Sequence, residues 1–150
     1  MKITDQEVLE ALSDAVRIGN GVRIPVSGRS MGPGFASVSD IVVEPFNPAT
    51  VSLGSIIVFL RGGRWIVHRV IWKFGRRADA FCITKGDNLV QIDRPYVKAS
   101  EIQGTVVGLG TRQGAAIDLT SGIRRWTAAL AAMRGWLAVG LSGRRKPRPA

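Results

Sequence analysis

The alternation of apolar and polar positions divides this chain into a row of short extended segments between two helical stretches. Residues 4–19 (TDQEVLEALSDAVRIG) place Val8, Leu12 and Val16 on one face at the helical period. Thr4 can cap this helix, with Glu7 completing a capping box, and Gly19-Asn20-Gly21 ends it. Residues 22–26, 40–44, 55–60, 64–72, 80–84, 102–109 and 115–119 are rich in branched apolar side chains, with glycine and proline between them, and read as strands. Arg61-Gly62-Gly63 marks a hairpin turn. Within 64–72 the two-residue period puts Ile66, His68, Val70 and Trp72 on one face and Trp65, Val67, Arg69 and Ile71 on the other. The pattern predicts a mainly β domain, a coiled antiparallel sheet with a short N-terminal helix and a C-terminal amphipathic helix. The divisions are 1–21 for the first helix, 22–122 for the β domain and 123–150 for the last helix and its tail.

That last segment has its own character. In residues 123–141 (IRRWTAALAAMRGWLAVGL), Ile123, Trp126, Leu130, Met133, Leu137 and Leu141 share one helical face, with Arg134 at its edge. A spanning helix needs about 20 apolar residues and would carry Arg134 near the bilayer centre, at about 2.5–3.5 kcal/mol. Lying in the membrane interface lets Arg134 reach water and sets both tryptophans at headgroup depth. An amphipathic helix docked on the protein's own sheet is the alternative, and a full span is the third. Residues 4–19 are too charged to span a bilayer or act as a signal peptide.

Charge sharpens this division. The net charge is +10. Residues 123–150 hold seven basic side chains (Arg124, Arg125, Arg134, Arg144, Arg145, Lys146 and Arg148) and no acidic one, so most of the excess lies in the tail. A basic, tryptophan-bearing amphipathic helix suits an anionic membrane surface. Nucleic acid is a poor partner, because the N-terminal helix presents an acidic face and no second helix follows it. A single cysteine, Cys82, excludes an internal disulfide; within the apolar run AFCI it reads as a small core residue.

Candidate chemistry begins where the first strand runs into Ser27-Gly28-Arg29-Ser30-Met31-Gly32-Pro33. A strand-to-turn corner of this kind exposes a serine hydroxyl beside backbone N–H groups, which is what a nucleophile and its oxyanion require. The only histidine, His68, lies in IVHRV, and residues 84–94 read TKGDNLVQIDR. An imidazole, with an ordinary pKa of about 6.5, can take the serine proton near neutral pH. A carboxylate on its other nitrogen would fix the tautomer, and both Asp87 and Asp93 stand within reach in sequence.

These three segments, in this order, resemble type I signal peptidases of the serine–histidine kind, from the endoplasmic reticulum and archaea. In that family a serine–methionine–proline corner is followed by V-H-R-V, then by T-K-G-D-N and a further aspartate. The resemblance covers roughly residues 22–108. More distantly the chain resembles the self-cleaving SOS repressors, which share the corner but use a lysine as base. The resemblance implies a Ser30–His68–Asp93 triad, with Asp87 holding its own loop together beside Lys85 and Asn88. It also implies that Met31 lines the site near the substrate backbone. Many signal peptidases place a serine two residues before the nucleophile, where this chain has Gly28 and, one residue earlier, Ser27. The N–H groups of Arg29 and Ser30 are therefore the first oxyanion candidates, with Ser27 beside them.

The expected activity is that of a serine endopeptidase cutting a peptide or preprotein after small residues through an acyl-enzyme, with no cofactor or metal. The alternatives are a catalytically silent binding module of the same fold and an autoproteolytic regulator. The expected location is cytoplasmic, peripheral at a membrane if residues 123–150 bind lipid. In that case the protein co-sediments with anionic vesicles, removal of 123–150 abolishes most of this binding, and added salt weakens it by screening. Unaltered sedimentation after truncation would exclude the tail as the anchor.

Overall fold

A computed structural model describes residues 6–19, 21–75 and 79–120. Thr4 and the predicted C-terminal helix at 123–141 lie outside them. The first element is helix α1 (Gln6–Ile18). Eight strands follow: β1 (Val22–Pro25), β2 (Val38–Pro45), β3 (Ile56–Arg61), β4 (Arg64–Phe74), β5 (Phe81–Lys85), β6 (Val97–Lys98), β7 (Ile102–Thr111) and β8 (Ala116–Asp118). They form one antiparallel sheet in the order β1-β2-β7-β3-β4-β5-β6, with β8 added to β7. No helix among the described residues is long and apolar enough to cross a membrane.

The order follows from local chemistry. Arg61 pairs with Arg64 across a two-residue turn in which Gly62 and Gly63 both have positive φ (57° and 67°). This is the turn whose twist suits a tight hairpin and that side chains with a Cβ resist. β7 is the hub. It pairs along one edge with β2, and along the other first with β3 and then with β8. At the β2–β7 crossing, Gly104 lets the layers close. A Cβ there would stand 2.4 Å from Val43 Cγ1 and 3.1 Å from Val16 Cγ1 of the helix.

The sheet curls enough to bury both faces of its central strands. On one side Val16, Ile24, Met31, Ile41, Val43, Ile56, Val58, Trp65 and Val67 pack together, with α1 as their cover. On the other, Val51, Ile57, Phe59, Val70, Cys82, Val97 and Ile102 form a second cluster. Alternate residues of β3 thus enter different cores, and Ile57, Val58 and Phe59 are all fully buried. Each such side chain contributes about 1.5–3 kcal/mol, so β3 is held from both faces.

Three details depart from the sequence reading. All seven predicted strands are present with ends shifted by one or two residues, the most in β2, β4 and β7. β6 is two residues long, too short to carry a period. In β4 the predicted alternation holds from Trp65 to Val70 and then breaks. Val70 faces Thr84 and Trp72 faces Ile83, so Ile71 is an extra, bulged residue. Ile71 is buried, and Trp72, predicted on the face of His68, is half exposed.

Cys82 is 1% exposed, and burial pushes its thiol up to about 11, opposed by the charge of Lys73. We therefore expect it to resist alkylation by iodoacetamide at pH 8 in the folded protein and to react once urea unfolds the chain. Rapid native labelling, read by mass spectrometry, would contradict its place in the second core.

Candidate active site

β1 ends at Pro25, and the Val26 N–H, bonded to the Ser39 carbonyl at 2.9 Å, is the last tie to β2. The chain then turns through Ser27, Gly28, Arg29 and Ser30. Met31, 7% exposed, inserts into the first core and anchors the corner, which leaves the preceding Ser30 half-buried at the rim. Gly32 has φ 72°, and a Cβ on it would meet Asn88 Cβ at 3.3 Å. A short 3-10 turn, Pro33–Phe35, closes the corner.

The TKGDN segment clamps this corner from outside. The Asn88 N–H donates to the Ser30 carbonyl at 2.8 Å, and Asn88 Nδ2 donates to the Arg29 carbonyl at 3.2 Å. Two consecutive carbonyls are thus fixed from one residue. The Arg29 and Ser30 N–H groups make no hydrogen bond among the described residues, so they remain available as donors. Gly86, at the start of the loop, is the point of closest approach. A Cβ there would fall 2.6 Å from the Ser30 carbonyl oxygen and 2.9 Å from His68 Nε2. The bare backbone of Gly86 therefore lies against both the serine corner and the histidine ring.

His68 is 5% exposed, opposite Ile57 of β3, with its ring edge-to-face to Phe59 at 6.2 Å. Its Nδ1 lies 2.7 Å from Asp93 Oδ2. An ionised carboxylate only accepts, so Nδ1 carries the proton and, in the neutral ring, Nε2 has the free lone pair. Nε2 is the nitrogen that faces Gly86 and the Ser30 corner. Ser30 Oγ makes no hydrogen bond among the described residues, and the serine–histidine bond is open in this structure. Such bonds often tighten only when substrate binds.

The two aspartates have separate partners. Asp93 also accepts from Thr84 Oγ1 at 2.6 Å, and its N–H donates to the Thr84 carbonyl at 2.8 Å. Asp87, which the resemblance casts as holding its loop together beside Lys85 and Asn88, forms a two-pronged pair with Arg69. Arg69 Nε donates to Oδ1 at 2.8 Å and Nη2 to Oδ2 at 2.7 Å, while Nη1 reaches the Gly54 carbonyl at 3.0 Å. The planar guanidinium matches a carboxylate as an ammonium cannot. The pairing of β4 with β5 sets residue 69 opposite residue 85, beside the start of the loop. Lys85, 6% exposed, turns its Nζ to the Gly86 carbonyl at 3.3 Å.

A cavity of about 130 Å³ lies beside Ser30, walled mainly by Val26, Met31, Phe35, Val38, Ile41 and Val67, with Ser27, Gly28 and Arg112 also lining it. A larger one, about 490 Å³, opens where β3 and β8 part along β7, and none of Ser30, His68 and Asp93 lines it. Among the described residues no group of three or more His, Cys, Asp or Glu could hold a metal ion. The sequence singled out Ser30, His68, Asp93 and Met31. It passed over Thr84, Gly86 and Arg69 as mere members of motifs. The sequence alone gave no signal for Arg69, because only the β4–β5 register sets it opposite Lys85 at the start of the loop. Comparison with family models, with curated proteins and with solved structures gave no match to this chain.

The separation of the aspartates gives a direct expectation. Asp87→Asn leaves Arg69 with two acceptors in place of three and removes the charge it pairs with, which costs about 1.5–3 kcal/mol in urea unfolding. Asp93→Asn removes the charge beside His68, a change that costs on the order of 10⁴ in turnover in a known triad. Turnover per folded molecule should fall steeply for Asp93→Asn and follow only the folded fraction for Asp87→Asn. The reverse ranking would exchange their roles.

Proposed function

We propose that this chain is a serine endopeptidase similar to the serine–histidine signal peptidases, acting on a peptide or preprotein through an acyl-enzyme. One observation carries the proposal. His68 is held by Asp93 at 2.7 Å through Nδ1 while its Nε2 faces the Ser30 corner across Gly86. Histidine and orienting carboxylate are then in contact, and the serine corner lies on the side of the free ring nitrogen, the order that proton transfer needs once the Ser30–His68 bond closes.

The chemistry follows. Ser30 rotates its Oγ toward His68 Nε2 and gives up its proton as Oγ bonds the scissile carbonyl carbon. The carbonyl π electrons move to oxygen, which the Ser30 and Arg29 N–H groups receive. Asp93 stabilises the imidazolium. As the intermediate collapses, the carbon–nitrogen bond breaks and His68 Nε2–H protonates the leaving amine. Water then attacks the ester, His68 takes its proton, and Ser30 Oγ leaves with a proton returned from His68. Nothing in this sequence draws on a metal or cofactor.

The cavity beside Ser30 supports the substrate class. About 130 Å³ bounded by Met31, Val38, Ile41 and Val67 offers an apolar recess that takes a small side chain next to the cut and is too small for one as large as tryptophan. Attachment to an anionic membrane through 123–150 belongs to the same reading. It rests on the composition of that segment and suits a substrate that emerges from a membrane. A second reading, a binding module without turnover, draws on the open Ser30–His68 bond.

Ser30→Ala decides between them. We expect cleavage of an extended peptide with alanine before the cut to fall to background, on the order of 10⁶-fold where a serine nucleophile has been removed elsewhere. Stability should move by no more than about 0.5 kcal/mol, since the lost hydroxyl has no partner in the fold. A tryptophan in place of that alanine should cut kcat/KM by at least tenfold. Peptide binding with no turnover in the wild type, tested over a panel of small-residue substrates, would establish the binding module instead.

A further inference from the structure

We propose that Thr84 is a positioning residue of the site, the group that fixes the direction of Asp93 and, through it, the ring of His68. The inference rests on the peptidase reading for its kinetic consequence, but not for its geometry.

Thr84 is 0% exposed, at the inner end of β5. A buried hydroxyl needs a partner, and Thr84 Oγ1 finds Asp93 Oδ2 at 2.6 Å. The same oxygen accepts the His68 Nδ1 proton at 2.7 Å. A second bond joins the two residues, from the Asp93 N–H to the Thr84 carbonyl. Asp93 is therefore held at its backbone and at its carboxylate by one residue.

That arrangement answers a problem set by the loop. Asp93 follows a stretch, 86–92, that belongs to no strand, and its side chain is 16% exposed. The terminal torsion of an aspartate is broad, so a carboxylate on such a segment can turn its oxygens away from the imidazole. The Thr84 hydroxyl selects the rotation in which Oδ2 meets Nδ1. Threonine suits the task because its branched Cβ restricts χ1 in a strand, so the hydroxyl direction is set by the sheet. Val70 lies opposite Thr84 in the β4–β5 register, two residues from His68 on the same strand face. The sheet thus aligns the hydroxyl donor and the ring from one pair of strands, and Asp93 is drawn between them from the loop.

The test compares Thr84→Val, which keeps the branched shape and removes the hydroxyl, with Thr84→Ala and Thr84→Ser. Folding is checked by thermal unfolding. The readouts are steady-state kinetics on an alanine-bearing peptide and the His68 ring signals in a ¹H–¹⁵N NMR spectrum. In Thr84→Val and Thr84→Ala we expect kcat to fall on the order of 10–100-fold with KM nearly unchanged. That is the range lost when an outer hydrogen-bond partner is removed at metal sites. The Nδ1 proton of His68 should broaden and exchange faster in both, and Thr84→Ser should restore it in large part. A sharp, unshifted Nδ1 proton in either folded hydroxyl-less variant would overturn the positioning role, whatever the kinetics. A wild type without turnover whose Nδ1 proton still responds to Thr84→Val would overturn the peptidase reading and leave the positioning role supported. If Thr84→Val does not fold, Thr84→Ala and Thr84→Ser carry the same comparison.

Discussion

The pairing of β4 with β5 is the constraint on which the site depends. Its register, Arg69 with Lys85 and Val70 with Thr84, sets which side chains emerge where the TKGDN loop begins. A slip of one residue would send His68 to the opposite core and Arg69 away from Asp87. What resists that slip is burial on both faces. Trp65 and Val67 are committed to one cluster and Val70 to the other, so no shift leaves the apolar residues covered. The bulge at Ile71 confines the change of register to the end of β4 beyond the site.

The serine corner depends on that pairing at one remove. It belongs to the β1–β2 side of the sheet and meets the β4–β5 side through Gly86, Asn88 and the first core. The contact consists largely of backbone: an amide on a carbonyl, and a glycine too close to its neighbours for any side chain. Such contacts have little tolerance for repacking. Arg69, with one arm on Gly54 and two on Asp87, ties the loop to β4.

Much of this was legible in the sequence, for identifiable reasons. The strands announced themselves because branched residues alternate or cluster between glycines, and Gly62-Gly63 could hardly be anything but a hairpin. The serine corner was found by residue type, and the roles of the two aspartates came from the resemblance to the serine–histidine signal peptidases. The chain gave no comparable signal for β6, which is held by its neighbour β5, or for the bulge, which appears only when two strands are laid side by side. The partners of Asp87 and Asp93 were hidden for the same reason. Arg69 and Thr84 lie 18 and 9 residues away from them, and only the fold converts those separations into contacts.

The tight approach at Gly86 has a consequence for reading related chains. Under the peptidase reading, catalytic competence would not be a property of three side chains. A relative carrying Ser30, His68 and Asp93 but alanine at position 86 would keep all three proposed groups while its serine corner was pushed from its histidine. On that reading, loss of function could arise, and be inherited, with those three letters untouched. The glycine would then be as much a mark of a working enzyme as the serine residue whose carbonyl it lies against.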